Sequence, residues 1–551
     1  MKFEIQDCDG LARLGSIEVN GKYMNTPNLF PVVHPYRNLI PSDDLVKLGT
    51  QCIFTNSYII YRNERIREEV TQKGIHEYLK FLGIIATDSG AFQQYMYNYN
   101  NFEIDAYEIE SFQEKIRSDF PVILDVPVQL DDDYETAKQK VNITLKRARE
   151  NIRRRNRLES HWFGPIHGGQ FVDLLKYSTN EMSQLPFDLY ALGGLVKAFM
   201  NYEFTLAIEM LLHVKTTILS NKPLHMFGLG LPQFFSLAIA CGCDLMDSAA
   251  YILYAKQGRY FTLSTGTKKL DELIEFPCHC PICTSHTPDE LRKFDEDLKI
   301  KLLAKHNLHI SFSELRTIRQ SIREGNLWEL VEQRIRGHPN LVNAFQRVKN
   351  FLPNIEKYEK TYKNHGRMFV SSESTSRPAI YRYNQIISTK YRKPKESKFL
   401  IILPELDLNG QTSPSIGKWI RDINVNQSIN RNNLHVALCS KFFGIIPWEL
   451  IDTFPMGQNE SLEVKSNKDL IVKHSLQLAR NFFENHAKNY NACALLIPEK
   501  FLDQHGQSKD FPLFHPIYGL KEIIQAHFGS KGLFFTTLTS IFNFLTEVQV
   551  K

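Results

Sequence analysis

At 551 residues the chain exceeds what a single hydrophobic core supports, since cores stop growing at about 250–300 residues, so more than one domain is expected. Its 43% hydrophobic and 23% charged residues are the proportions of a soluble globular protein. A net charge of +5 is weakly basic, which is compatible with a nucleic-acid partner without establishing one.

The opening MKFEIQDCDG has no apolar segment of the kind a secretory signal needs. The most apolar stretch, Phe234 to Ala255, contains Asp244 and Asp247, and a lipid-spanning helix would not readily bury two carboxylates. No membrane segment is expected. Nine cysteines, three of them within Cys278–Cys283, read as one metal site plus reduced thiols. These features predict a cytoplasmic protein.

From the N-terminus one unit recurs: a short β-rich run, a polar or glycine-rich cluster, then an amphipathic helix. The runs are Phe30–Val33, Cys52–Asn56, Ile84–Gly90, Val122–Pro127, Gly164–Gly169, Leu189–Gly194, His225–Gly230 and Leu245–Ala249. Strands alternating with helices predict βα units and parallel pairing, and eight of them predict a closed (β/α)8 TIM barrel. A doubly wound open sheet is the alternative. In a barrel, reactive groups sit where strands end. Polar residues do collect at those positions: Asp88-Ser89-Gly90, Asp125, His167-Gly168-Gly169, Gly193-Gly194, Gly228 and Asp247-Ser248.

The basic run from Lys146 to Arg157 is helical in pattern. It is either a solvated face paired with Glu150 and Glu159 or a phosphate-binding surface. After Tyr254 comes Phe276-Pro-Cys278-His-Cys280-Pro-Ile-Cys283. Three thiols in six residues predict a zinc site, because soft thiolates suit zinc and tetrahedral structural sites use three Cys and one His. His279, His286 and His306 are candidates for the fourth ligand, and spacing does not choose among them. The expected domains are a barrel over 1–275, a zinc-binding subdomain with a helical extension over 276–370, a Ser/Arg/Lys/Pro-rich linker over 371–398, and a smaller α/β domain over 399–551.

Asp88 and Asp247 close apolar runs three and eight. A single Asp there ordinarily caps the next helix. Two of them, beside glycines that let a ligand approach the backbone, fit a pair that cleaves a glycosidic bond with retention, one attacking and one handling protons. Phe92 and Phe227 are either core residues or faces that hold an extruded base.

Taken together, Asp-Ser-Gly-Ala-Phe-Gln (88–93), Leu-Gly-Gly-Leu-Val (192–196), Met-Asp-Ser-Ala-Ala-Tyr (246–251), the cysteine cluster and Lys-His-Asn-Leu (305–308) resemble the archaeal tRNA-guanine(15) transglycosylases. So do Thr-Asn-Ser-Tyr-Ile-Ile-Tyr (55–61) and the opening Gly-Ser-Ile-Glu-Val-Asn-Gly. The likeness spans roughly residues 1–380. It implies exchange of guanine at position 15 of tRNA for 7-cyano-7-deazaguanine, the precursor of archaeosine. Asp247 matches the nucleophile, and Asp88 matches the residue that reads the base and moves its proton. Ser89, Phe92, Asp125, Gly193, Gly194 and Val196 match positions lining the base pocket, to which Phe227 and His167 are added. The resemblance implies Cys278, Cys280, Cys283 and His306 as zinc ligands and, as partners, tRNA and a homodimer mate or a heteromeric subunit.

Two departures stand out. His167 occupies a place where the family has Gln, which opens base affinity or choice to change. The C-terminal region lacks the family's usual tail and, through Ile-Leu-Pro404 and residues 440–455, resembles the second domain of archaeosine synthase. Asn409 stands where that enzyme's reactive lysine would be, so synthase chemistry is not expected. A non-catalytic tRNA-binding paralogue is the competing expectation.

Overall fold

The computed structural model describes residues 1–91, 105–155, 160–218, 221–263, 265–363, 366–406, 412–460, 468–499 and 515–550. Contacts divide the chain into two compact units, Met1–Tyr358 and Glu359–Lys551.

The first unit opens with an antiparallel sheet that the recurring-unit pattern did not include: β1 (Lys2–Asp9), β2 (Ala12–Val19) and β3 (Lys22–Thr26). The signal was present. Asn20-Gly21 is a two-residue hairpin turn, and both residues adopt positive φ (50° and 73°), as the turn that matches strand twist requires.

Eight short strands follow: β4 (Asn28–Pro31), β5 (Cys52–Asn56), β6 (Ile84–Asp88), β7 (Phe120–Pro121), β8 (Phe163–Ile166), β9 (Leu189–Leu192), β10 (Leu224–Met226) and β11 (Leu245–Ser248). Seven of them overlap the predicted runs; the fourth, β7, ends just before the predicted run Val122–Pro127, in which Val122 makes a single parallel bridge to Phe163 and no strand forms. All their pairings are parallel, in the orders β4-β11-β10-β9-β8 and β5-β6-β7. Single parallel bridges, Val32–Phe54 and Val122–Phe163, connect the two sets. The result is a mixed α/β architecture consistent with a TIM-barrel-like core.

These strands are apolar on both faces because each separates two cores. Side chains alternate with a period of two. Cys52 and Phe54, Ile84 and Ala86, and Leu189 and Ala191 enter one cluster, joined by Ile17, Val19 and Met24 of the N-terminal sheet. The intervening Ile53, Ile85, Tyr190 and Leu192 face the helices. The interior is dominated by aromatic rings. Phe163 alone lies 5.9 Å from Phe120, 6.1 Å from Phe54 and 5.2 Å from the His225 ring.

Beyond β11 come an antiparallel hairpin, β12 (Arg259–Thr262) and β13 (Gly266–Lys269), and the 29-residue helix Glu296–Glu324. Asp295 caps its start through the Leu298 amide, and Gly325 at φ 70° ends it.

The second unit has its own core around the strands β15 (Phe399–Pro404), β16 (Leu434–Ser440), β17 (Gly444–Pro447), β19 (Ala492–Leu496) and β20 (Gly532–Phe535), in the order β17-β16-β15-β19-β20. A separate pair, β14 (Arg367–Met368) and β18 (Asn459–Glu460), runs parallel. Here the expected linker over 371–398 is corrected. Most of it is helical, and Ile380, Tyr383, Ile387 and Tyr391 are buried in this unit's core. Their spacing of three to four residues is an amphipathic stripe, outweighing the polar composition. Among the described residues no helix is long and apolar enough to cross a membrane.

Candidate functional site

Asp247 lies next to last on β11, whose register with β4 puts it opposite Phe30. Its Oδ1 accepts two hydrogen bonds, from His225 Nε2 at 2.8 Å and from the Gly228 amide at 3.2 Å. Oδ2 has no hydrogen-bond partner among the described residues. His225 is fully buried on β10, and its Nδ1 also lacks a partner among the described residues. The Nε2–H tautomer, donating to the carboxylate, follows from that arrangement. His225 was not recognised in the sequence, where a lone histidine among apolar residues reads as core.

Asp88 ends β6, opposite Asn56 in the β5 register. Asn56 Nδ2 donates to Asp88 Oδ2 at 2.8 Å and the Gly90 amide to Oδ1 at 3.3 Å. Ser57 Oγ donates to the Asp88 carbonyl at 2.6 Å. Asn56 also caps the helix Ser57–Arg62 through the Ile59 amide, so one side chain starts a helix and orients a carboxylate. Gly90, at φ 95°, has Tyr58 2.2 Å from where a Cβ would stand, which excludes any larger residue.

Asp125 and His167 form a buried pair, with Nε2 to Oδ2 at 2.6 Å. The imidazole is held flat against Gly193: a Cβ there would lie 2.3 Å from His167 Cε1. Gly194, at φ 81°, meets the Val128 carbonyl in the same way, and Val196 fills the space beside Gly228. Ser89 is fully buried, and its hydroxyl has no partner among the described residues. Phe227 is half-buried over Phe54 and Phe163. Asp125, His167 and Gly193 thus form one contacting set, and Asp247, Gly228 and Val196 another. Phe92 lies outside the described residues.

The cysteine cluster gathers Cys278, Cys280, Cys283 and His306, with all four ligand atoms within 4.8 Å of one another. His306 Nδ1 lies 3.4 Å from the sulfurs of both Cys280 and Cys283. Its Nε2 donates to the Phe261 carbonyl at 2.9 Å, which fixes the tautomer that leaves Nδ1 as a ligand. Tyr260 stacks on the imidazole at 3.7 Å. His306 completes the donor set, whereas His286 packs edge-on against Phe294. The cluster is able to coordinate a metal ion. Asn307, the next residue, binds Phe261 N, Tyr251 O and Arg259 O, tying β12 to the long helix.

The basic run is largely used within the fold. Arg147 donates to the Leu124 carbonyl, Arg149 pairs with Glu181, and Arg155 donates to the Pro186 carbonyl. Lys146 and Arg153 remain exposed.

With this geometry in place, a family model described as queuine tRNA-ribosyltransferase matches residues 7–340. A tRNA-guanine(15) transglycosylase of Methanococcus maripaludis is 34% identical over 538 residues, covering 96% of this chain and 79% of that protein. Those of Methanocaldococcus jannaschii and Methanobrevibacter smithii are 37% and 36% identical, over 84% and 83% of this chain and 69% of each relative. An alignment over 96% of the chain takes in most of the second unit. That unit therefore also aligns with the transglycosylases, of whose length this chain covers 79% in the first comparison. The chain belongs to the queuine tRNA-ribosyltransferase family, as a member of the archaeal tRNA-guanine(15) transglycosylases.

Proposed function

We propose that this chain exchanges guanine at position 15 of tRNA for 7-cyano-7-deazaguanine through a covalent bond between ribose C1′ and Asp247. The observation that carries the reading is the state of Asp247: one oxygen is held by His225 and Gly228, and the other has no partner among the described residues. A carboxylate fixed in this way can attack with Oδ2. As the Oδ2–C1′ bond forms, the C1′–N9 bond breaks and guanine leaves with the electron pair, taking a proton. The incoming base gives up its own N–H proton, attacks C1′ and releases Asp247. Two inversions give net retention. Asp88, held by Asn56, is placed to take and return these protons.

Extruding the base costs a few kcal/mol, so the pocket has to bind it tightly. Asp125 as a carboxylate accepts from the N–H edge of guanine, with His167 fixing its orientation. Ser89, Gly193, Gly194, Val196, Phe92 and Phe227 complete the lining in this reading. The eight parallel strands are taken to close into a (β/α)8 barrel, a reading supported by the two bridges that join the strand sets. Zinc is the metal proposed for the cluster: three sulfurs and one nitrogen suit its softness. Bound there, it would supply a structural cross-link.

Labelled guanine, then 7-cyano-7-deazaguanine, offered with unmodified tRNA transcript tests the reading. Label should appear at position 15; none, with folded and metal-loaded protein, would overturn it. Gly193→Ala should weaken base binding by about tenfold or more, because the added methyl displaces the His167 ring at an overpacking cost of about 1–3 kcal/mol. Unchanged guanine affinity in that variant would remove His167 from the pocket.

A further inference from the structure

Asp125 stands on a segment that has left the sheet. Strand β7 ends at Pro121, and the Val122–Phe163 bridge is the last sheet pairing before it. Buried backbone groups beyond a strand end need other partners, and here side chains of two helices supply them. Gln113, on the helix Ala106–Lys115, donates to the Val122 carbonyl at 2.9 Å. The Leu124 amide donates to Glu110 Oε1 at 3.2 Å, and Arg147 donates to the Leu124 carbonyl at 3.0 Å. The Val126 amide donates to Thr144 Oγ1 at 2.9 Å. Both peptide groups of Leu124, immediately before Asp125, and the amide immediately after it are therefore fixed by side chains. Glu110 is in turn held by Asn151 Nδ2 at 3.0 Å. Arg147, Thr144 and Asn151 all lie on the helix Tyr134–Arg154.

We propose that Glu110, Arg147 and Thr144 are positioning residues for base recognition, a cradle that aims the Asp125 carboxylate at the N–H edge of the bound base. This rests on the reading of Asp125 as a base-pocket residue. None of the three needs to touch the base. Their effect is on its affinity, because a carboxylate displaced by a fraction of an ångström loses hydrogen bonds that a rigid purine cannot follow.

Glu110 adds a signature that scaffolding alone does not have. Burial pushes its carboxyl up to about 7, against the lowering pull of Asn151, the Leu124 amide, Arg147 and Arg154. Glu114 lies one turn further along its own helix, and Arg62 is the one charged residue of the packed helix Ser57–Arg62. Once ionised, Glu110 accepts the Leu124 N–H as a charge-assisted bond, which is about twice as strong as the neutral one. Affinity for the base should therefore rise as pH rises through about 7.

The test is calorimetric binding of guanine to the full chain without tRNA, alongside exchange assays. Thr144→Val keeps the side-chain shape and leaves the Val126 amide unpaired; it should weaken guanine binding by about 5–50-fold. kcat at saturating base should change by no more than about twofold, since the variant removes uniform binding. Glu110→Gln should flatten the pH step between about pH 6 and about pH 8. In that variant Asn151 Oδ1, buried without a hydrogen-bond partner among the described residues, can turn to accept from the new amide. Guanine affinity unchanged in folded Thr144→Val, or a pH step that survives Glu110→Gln, would overturn the cradle. Loss of exchange in the parent chain with guanine binding intact would sink the transglycosylase reading and leave the cradle standing. A parent chain that binds no guanine would remove both.

Discussion

Replacement of Asp247 by asparagine is expected to lower base exchange by at least about 10³-fold while leaving the fold unchanged. The amide oxygen of asparagine can still accept from His225 Nε2 and the Gly228 amide, the two bonds that hold the native side chain. Secondary structure and thermal midpoint should therefore stay where they are. What is lost is the anionic oxygen proposed to attack C1′. A covalent protein–tRNA species, visible on a denaturing gel when the parent chain turns over without an acceptor base, should be missing in the variant. Exchange within tenfold of the parent would mean that the reaction does not pass through this carboxylate.

Removing the metal proposed for the cysteine cluster is expected to cost more stability than any single substitution in the strands. Cys280 and His306 are almost fully buried, and the four ligands come from two segments 23 residues apart at their nearest. Without an ion, sulfurs that would carry charge are crowded together at 3.5 Å (Cys280 to Cys283). Metal binding in such clusters is coupled to folding. Prolonged chelation, or Cys280→Ser, should lower the thermal midpoint by more than about 10 °C and open residues 276–295 to proteolysis. Metal-free protein that melts like the native protein would show that the cluster holds itself together, and metal analysis giving anything but zinc would correct the ion.

How far the sequence could be read follows from how local each signal is. Seven of the eight parallel strands were legible as short apolar runs, most of them leading into Gly, Asp or Ser, whereas β7 ends at Pro121, just before the run expected there. Asp88, Asp247 and the three cysteines stood out for the same reason: each sits in a compact string. Residues that act across long separations did not. Asn56 reaches Asp88 over 32 positions, His225 reaches Asp247 over 22, and Asn151 reaches Glu110 over 41. The segment 371–398 failed differently. Its Ser, Arg and Lys content suggested a linker, while four apolar residues at helical spacing were enough to fold it into a core.

The imidazole that holds Asp247 is itself walled in by phenylalanines. Phe30, Phe54 and Phe163 all lie within 6.1 Å of the His225 ring. Over evolutionary time, these interior positions answer to two selections at once, since a ring exchanged for a smaller side chain leaves both a void and a loosened histidine. Drift at Phe54 or Phe163 should then be tolerated only alongside a compensating change at 225. In a family alignment, these positions should vary as a group and more slowly than helix-facing neighbours such as Ile53, which are equally buried.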